Sequence, residues 1–158
     1  MSAVLHNDAI AKARMLSHPE LLAALGSVLS GSSASFALLL IDIADLPTLQ
    51  ARLGFELSAI LLESMSVHFT QALSARGSVF RFGDGRFCVL ISAIRNRGHA
   101  VLAAEKIARA AEEAMNDAGV IIAPDMTIGI ALYPQQAADG ESLLRKAQLA
   151  GAAVRKRR

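Results

Sequence analysis

Three charged side chains stand where the sequence alone can place chemistry. Asp42 follows the apolar run FALLLI, and Asp84 and Arg86 lie in the segment FRFGDGRFCVLI. That second segment reads as two short strands joined by a tight turn. Asp84-Gly85 suits a two-residue type I′ hairpin, whose central residues both take positive φ. If the hairpin lies beside the apolar strand, residues 83 to 86 approach Asp42. Two carboxylates meeting there could hold Mg²⁺ against nucleotide phosphates. Each residue also has a plainer reading. Asp84 serves as a turn former, and Asp42 as a strand-end carboxylate satisfied by loop amides or by Arg86. One carboxylate alone rarely holds Mg²⁺, which needs phosphates to complete its shell.

Other chemistry-bearing residues thin out quickly. His6, His18, His68 and His99 share no metal-ligand spacing, and no Ser, His and Asp grouping emerges. The single cysteine, Cys88, lies in an apolar strand, where a free thiol packs as a small hydrophobe in a reducing compartment. Of 16 basic residues, Arg155, Lys156, Arg157 and Arg158 stand together at the end with no aromatic near them. They read as a solvated helix end and not as a nucleic-acid footprint. No apolar run approaches the ~18 to 20 residues that cross a bilayer. Asp8, Lys12 and Arg14 interrupt the N-terminal stretch, so no signal peptide, lipid anchor or membrane insertion is expected, and the expected compartment is the cytoplasm.

The elements that must position Asp42 and the hairpin can be read from periodicity. At 158 residues the chain is expected to form one core. Helical spacing runs from about Asn7 to Leu29, with Pro19 starting a second helix after Ser17 and His18, and SGSSAS reads as a loop. FALLLIDI does not alternate, as expected of a central strand buried on both faces. Asp45 caps a short helix over Leu46 to Leu53 that Gly54 breaks. Leu57, Leu61, Met65, Phe69 and Leu73 form the stripe of a longer helix ended by Gly77. HAVLAAEKIARAAEEAMNDAG is a further amphipathic helix closed by Gly119, MTIGIALYP a late strand, and ESLLRKAQLAGAAVRKRR a last helix. Gly129, inside that late strand, marks a bulge or a close backbone approach. The order implies an α+β fold with a mixed, largely antiparallel central sheet and helices packed on its faces.

FALLLIDIADL, RFGDGRF, MTIGIALYP and LLRKAQLA, in that order, resemble the GGDEF domain of diguanylate cyclases, a nucleotide cyclase palm-like fold on a ferredoxin-like core. The resemblance runs from about Ser35 to Arg155, so residues 1–34 are taken as a helical segment and loop and 35–158 as the domain. The family signature falls on Gly83, Asp84, Gly85, Arg86 and Phe87. Its third position, a metal ligand in the family, is Gly85, and its fourth, an active-site acid, is Arg86. Asp42 matches the first metal-binding aspartate, whereas the second falls on Ala44. The guanine-binding asparagine and aspartate fall on Gln50 and Ala59, and a phosphate-contacting basic residue on Arg155. The inhibitory product motif, R-x-x-D, falls on Ser74 and Gly77 and is absent, as is the family's D-x-L-T-G-L-x-N-R opening motif.

The resemblance therefore implies a degenerate, catalytically inactive domain, regulatory or interacting, in bacterial cyclic di-GMP signalling. Its partner would be another protein or an appended domain such as an EAL phosphodiesterase, and a homodimer is compatible. No cofactor is required; GTP with Mg²⁺ is the pair the site would take, with Asp42 as the surviving metal ligand. Asp42, Gln50, Arg86 and Arg155 are the candidate nucleotide contacts. Two alternatives stay open at this point: a structural dimerisation module that binds no nucleotide, and an active cyclase.

Overall fold

The computed structural model describes residues 15–31, 34–73, 76–122 and 124–157. Strand β2, Phe36–Ile43, forms the centre because every residue but Asp42 is apolar and buried. It pairs antiparallel with β4 (Arg86–Ser92) on one side and with β5 (Met126–Tyr133) on the other. Strand β3, Gly77–Phe82, continues the sheet antiparallel to β4, and the two-residue β1, Met15–Leu16, closes the edge parallel to β3. The order is β1-β3-β4-β2-β5, a five-stranded mixed sheet in which the antiparallel pairs predominate.

Alternation along β2 divides the core into two layers. Ala37, Leu39, Ile41 and Ile43 point to one face, where α3 (Phe55–Leu73) and α4 (Arg97–Asp117) cover them with Leu61, Met65, Phe69, Ile107 and Ala111. Phe36, Leu38 and Leu40 point to the other face, under α1 (His18–Ser30) and α5 (Gly140–Lys156), which contribute Leu21, Leu25, Leu143 and Leu144. Asp42 continues that second series, so its carboxylate belongs to the α5 face. The expected α+β architecture with helices on both faces is present.

Most caps follow local chemistry. Ser17 accepts from the Glu20 amide at the start of α1, and Pro19 occupies its first turn. Asp45 caps α2, Leu46–Leu53, accepting from the Thr48 amide and hydroxyl at 3.4 and 2.6 Å. Gly54 follows with a φ of 85°, which stops the helix.

Three local expectations are corrected. Met15 and Leu16 fit the first helical spacing yet form β1, because a long-range ladder to Arg81 and Phe82 outweighs local periodicity; residues 7–14 of that expected helix lie outside the described residues. Gly77 opens β3 and is not the stop of α3, which ends at Leu73. The hairpin loop has three residues and not two, since Phe82 pairs with Arg86. Positive φ falls on Gly83 (55°) and Gly85 (72°), so the glycines carry the left-handed backbone and Asp84 is spared it.

Cys88 is fully buried, and burial pushes its thiol up from 9.0 to about 12. Its neutral form costs nothing below pH 9.0; from there toward about 12 only the unfolded chain ionises, so stability falls across that window. We expect a thiol reagent to label the folded protein at least on the order of 10³-fold more slowly than the urea-unfolded chain. Equal rates in the two states would place Cys88 outside the core.

Candidate nucleotide site

Antiparallel register sets Asp42 directly opposite Arg86 on β4 and opposite Thr127 on β5. All three side chains lie on the α5 face, one step beyond the apolar layer that ends with Leu40. The hairpin is fastened there by the main chain, the Ile43 amide donating to the Gly85 carbonyl at 2.9 Å. On the far side of β2 the Ala44 amide donates to the Asp125 carbonyl at 2.8 Å, which holds the end of the strand between its neighbours.

Helix α5 supplies the roof. Asp139 caps it, accepting from the Ser142 amide at 2.7 Å, and this hydrogen bond holds the Asp139 carboxyl below its usual range. Its inner face then presents Gln148, Gly151, Ala152 and Arg155, the i, i+3, i+4, i+7 spacing of one helical side. Gly129 on β5 is what allows this approach: a methyl built there would lie 2.8 Å from the Gly151 nitrogen and closer still to the Ala147 carbonyl oxygen. The close backbone approach expected of Gly129 is present, and no bulge interrupts its pairing with Leu40.

Between roof and sheet lies a cavity of about 180 Å³, lined by Leu40, Asp42, Arg86, Thr127, Gln148, Gly151, Ala152 and Arg155. Arg155 Nη2 donates to Thr127 Oγ1 at 3.2 Å, and its Nη1 stands 3.6 Å from Asp42 Oδ2. Arg86 Nε stands 3.9 Å from Asp42 Oδ1, with its guanidinium over the Phe82 ring. The structure therefore places one carboxylate between two guanidinium groups.

Among the residues singled out from the sequence, Asp42, Arg86 and Arg155 meet. Gln50, on α2, does not line the cavity, and Ala59 is exposed on α3. Gly83 and Asp84 are exposed at the loop tip, whereas Gly85 is buried against Ile43 and Leu46. Phe87 turns to the opposite face and packs edge-on against Phe69 at 5.1 Å. Ser74 lies outside the described residues. Thr127 and Gln148 join the site without having been expected there. The alternation of MTIGIALY, once paired antiparallel with β2, would have identified Thr127, and the helical spacing back from Arg155 would have identified Gln148.

Comparison with known proteins bears on the fold and the family. No curated protein matches the chain. Among solved structures, the GGDEF domain of TpbB (YfiN) from Pseudomonas aeruginosa superposes with a TM-score of 0.76 at 23% identity, over 92% of this chain and 87% of that one. An EAL/GGDEF domain protein from M. capsulatus gives 0.65 at 23% identity, over 80% and 81%. The diguanylate cyclase SiaD of Pseudomonas aeruginosa, solved with its activator SiaC, gives 0.70 at 14% identity, over 98% and 61%. These likenesses establish the fold. The family model described as diguanylate cyclase, GGDEF domain, matches residues 12–158. No helix among the described residues is long and apolar enough to cross a membrane. With nearly its whole length matched by that model, the chain belongs to the GGDEF-domain family of diguanylate cyclases, the family of cyclic di-GMP signalling.

Proposed function

We propose that this chain is a non-catalytic GGDEF domain that acts through a protein partner or an appended domain in cyclic di-GMP signalling. The observation that carries the reading is Arg86, whose guanidinium stands 3.9 Å from Asp42 where the family places an acid. A cyclase must hold Mg²⁺ between carboxylates so that a phosphoryl group is polarised for attack by a ribose hydroxyl. Here the donor set does not suit a divalent cation. Asp42 brings one carboxylate, residue 85 is glycine, and Arg86 and Arg155 take up the space around the carboxylate with positive charge. Among the described residues no group of three or more His, Cys, Asp or Glu side chains could hold a metal.

Partner action fits the structural relatives, one an EAL/GGDEF protein and another solved with its activator. The test is direct. Incubated with GTP and Mg²⁺ or Mn²⁺, the protein is expected to give no cyclic di-GMP by mass spectrometry; product formation refutes the reading. Titrating GTP into the protein separates a nucleotide-binding regulator from a dimerisation module that binds none.

A second expectation concerns the base. Gln50 keeps an amide but moves it by a methylene relative to asparagine, and Ala59 offers no hydrogen bond, so little pairs with the guanine edge. A site that does not hydrogen-bond the distinguishing groups cannot select strongly between ligands. GTP and ATP should therefore bind within about threefold of each other. A preference for GTP of tenfold or more would show that guanine is recognised by other residues.

A further inference from the structure

We infer that the cavity under α5 takes up the polyphosphate of a nucleotide without a divalent cation, the guanidinium groups of Arg86 and Arg155 supplying the countercharge. This deepens the reading above and rests on it for the class of ligand alone. The cavity holds two unit positive charges against the single negative charge of Asp42. Neither guanidinium is at hydrogen-bonding distance from the carboxylate, the separations being 3.9 and 3.6 Å. Asp42 therefore balances part of the charge without saturating either fork.

Exposure points the same way. The side chains of Arg86 and Arg155 are 46% and 43% exposed, against 29% for Asp42, so the cations face the mouth and the anion lies deeper. Arg155 is oriented by its bond to Thr127, whose own hydroxyl proton remains available to an incoming oxygen. A guanidinium fork binds phosphate oxygens in pairs through charge-assisted bonds. A cation entering beside Asp42 would instead meet both arginines at close range. In this arrangement Asp42 is a competitor of the ligand and not a metal ligand.

Two signs of effect follow, each opposite to what a metal-bridged site gives. Mg²⁺ neutralises the phosphates before they reach the arginines, so adding it should weaken binding. Asp42→Asn removes the internal anion, so it should tighten binding, whereas loss of a metal ligand would weaken it. The experiment is calorimetric titration of the intact chain with GTP and with inorganic tripolyphosphate, in EDTA and in excess Mg²⁺. Thermal unfolding of each variant shows that it is folded. Affinity in EDTA is expected to exceed that in Mg²⁺ by about threefold or more, and Asp42→Asn to tighten it by a similar factor. Arg86→Gln and Arg155→Gln should each weaken binding in EDTA by roughly tenfold. Binding that requires Mg²⁺, a weaker Asp42→Asn variant, or no binding of either ligand under both conditions overturns the inference. Cyclic product formed from GTP refutes only the non-catalytic reading and is read out separately.

Discussion

Placing an acid at both hairpin positions, as Gly85→Glu with Arg86→Glu, is expected to leave cyclic di-GMP synthesis undetectable. On the non-catalytic reading proposed above, the exchange at residue 86 removes an electrostatic obstacle to a divalent ion. A divalent ion about 4 Å from the Arg86 charge would be opposed by roughly 8 kcal/mol at an effective dielectric of 20. The 46% exposure of Arg86 reduces that figure substantially without changing its sign. Gly85, however, has a φ of 72° and is buried. A side chain there enters the left-handed region at roughly 1–2 kcal/mol, and its Cβ starts 3.4 Å from Ile43 Cβ and Leu46 Cδ2. The carboxylate introduced at position 85 would thus be launched from a strained backbone beside the apolar α2 face. On the proposed reading the positions matched to the guanine contacts, Gln50 and Ala59, remain unchanged by the exchange, so GTP would still be held without its base. The readout is product mass after long incubation of wild type and double variant with GTP and Mg²⁺ or Mn²⁺. Turnover by the variant alone would show that the two signature positions were the sole defect.

Why the fold could be read from sequence, and part of the site could not, is visible in particular residues. FALLLIDI announces a strand buried on both faces because it lacks alternation, and the four-residue stripe from Leu57 to Leu73 announces a covering helix. Both signals are local and strong. Asp45, Pro47 and Gly54 mark one helix at both ends through chemistry that acts within a turn. Met15 and Leu16 carry no such signal; they become a strand only because β3 offers them an edge. The hairpin loop is one residue longer than its sequence suggests for a related reason. Asp84-Gly85 satisfies a two-residue turn locally, but the register with β4 places both ends of the loop at glycines.

At the site, the meeting of Asp42 with the hairpin was legible because adjacent strands fix it, as the Asp42–Arg86 pairing shows. Arg155 was legible only through resemblance, since it lies far along the chain on another element. Thr127 was not, because a threonine in a strand is ordinary, and its meaning emerges only when β5 is set against β2 in register. The cavity itself depends on how near α5 comes to the sheet. Periodicity cannot give that distance, although one residue, Gly129, carries it.

Gly129→Ala is accordingly the substitution expected to cost most in stability. The added methyl would meet main-chain atoms of α5, 2.8 Å from the Gly151 nitrogen and 3.0 Å from the Ala147 carbonyl carbon. No rotamer relieves a clash with backbone, so the helix must move as a body away from β5 or the fold must loosen. Overpacking in a filled core costs typically 1–3 kcal/mol, and contact with main chain belongs at the upper end, about 3 kcal/mol or more. For a chain of this size that corresponds to a fall in melting temperature of roughly 10 °C. Gly151→Ala, across the same contact, is the control. Its Cβ would stand 3.7 Å from Gly129, an ordinary van der Waals separation, and alanine favours the helix interior by about 1 kcal/mol over glycine. That variant should melt at or above the wild-type temperature. The comparison also reaches the site, because Arg155 rides on the same helix one turn beyond Gly151. Moving α5 outward separates Arg155 from Asp42 and Thr127, so folded Gly129→Ala protein should lose tripolyphosphate affinity by about as much as Arg155→Gln. A Gly129→Ala melting temperature within about 2 °C of wild type would show that α5 does not rest on the glycine backbone, and with it would fall the account of how Arg155 is positioned.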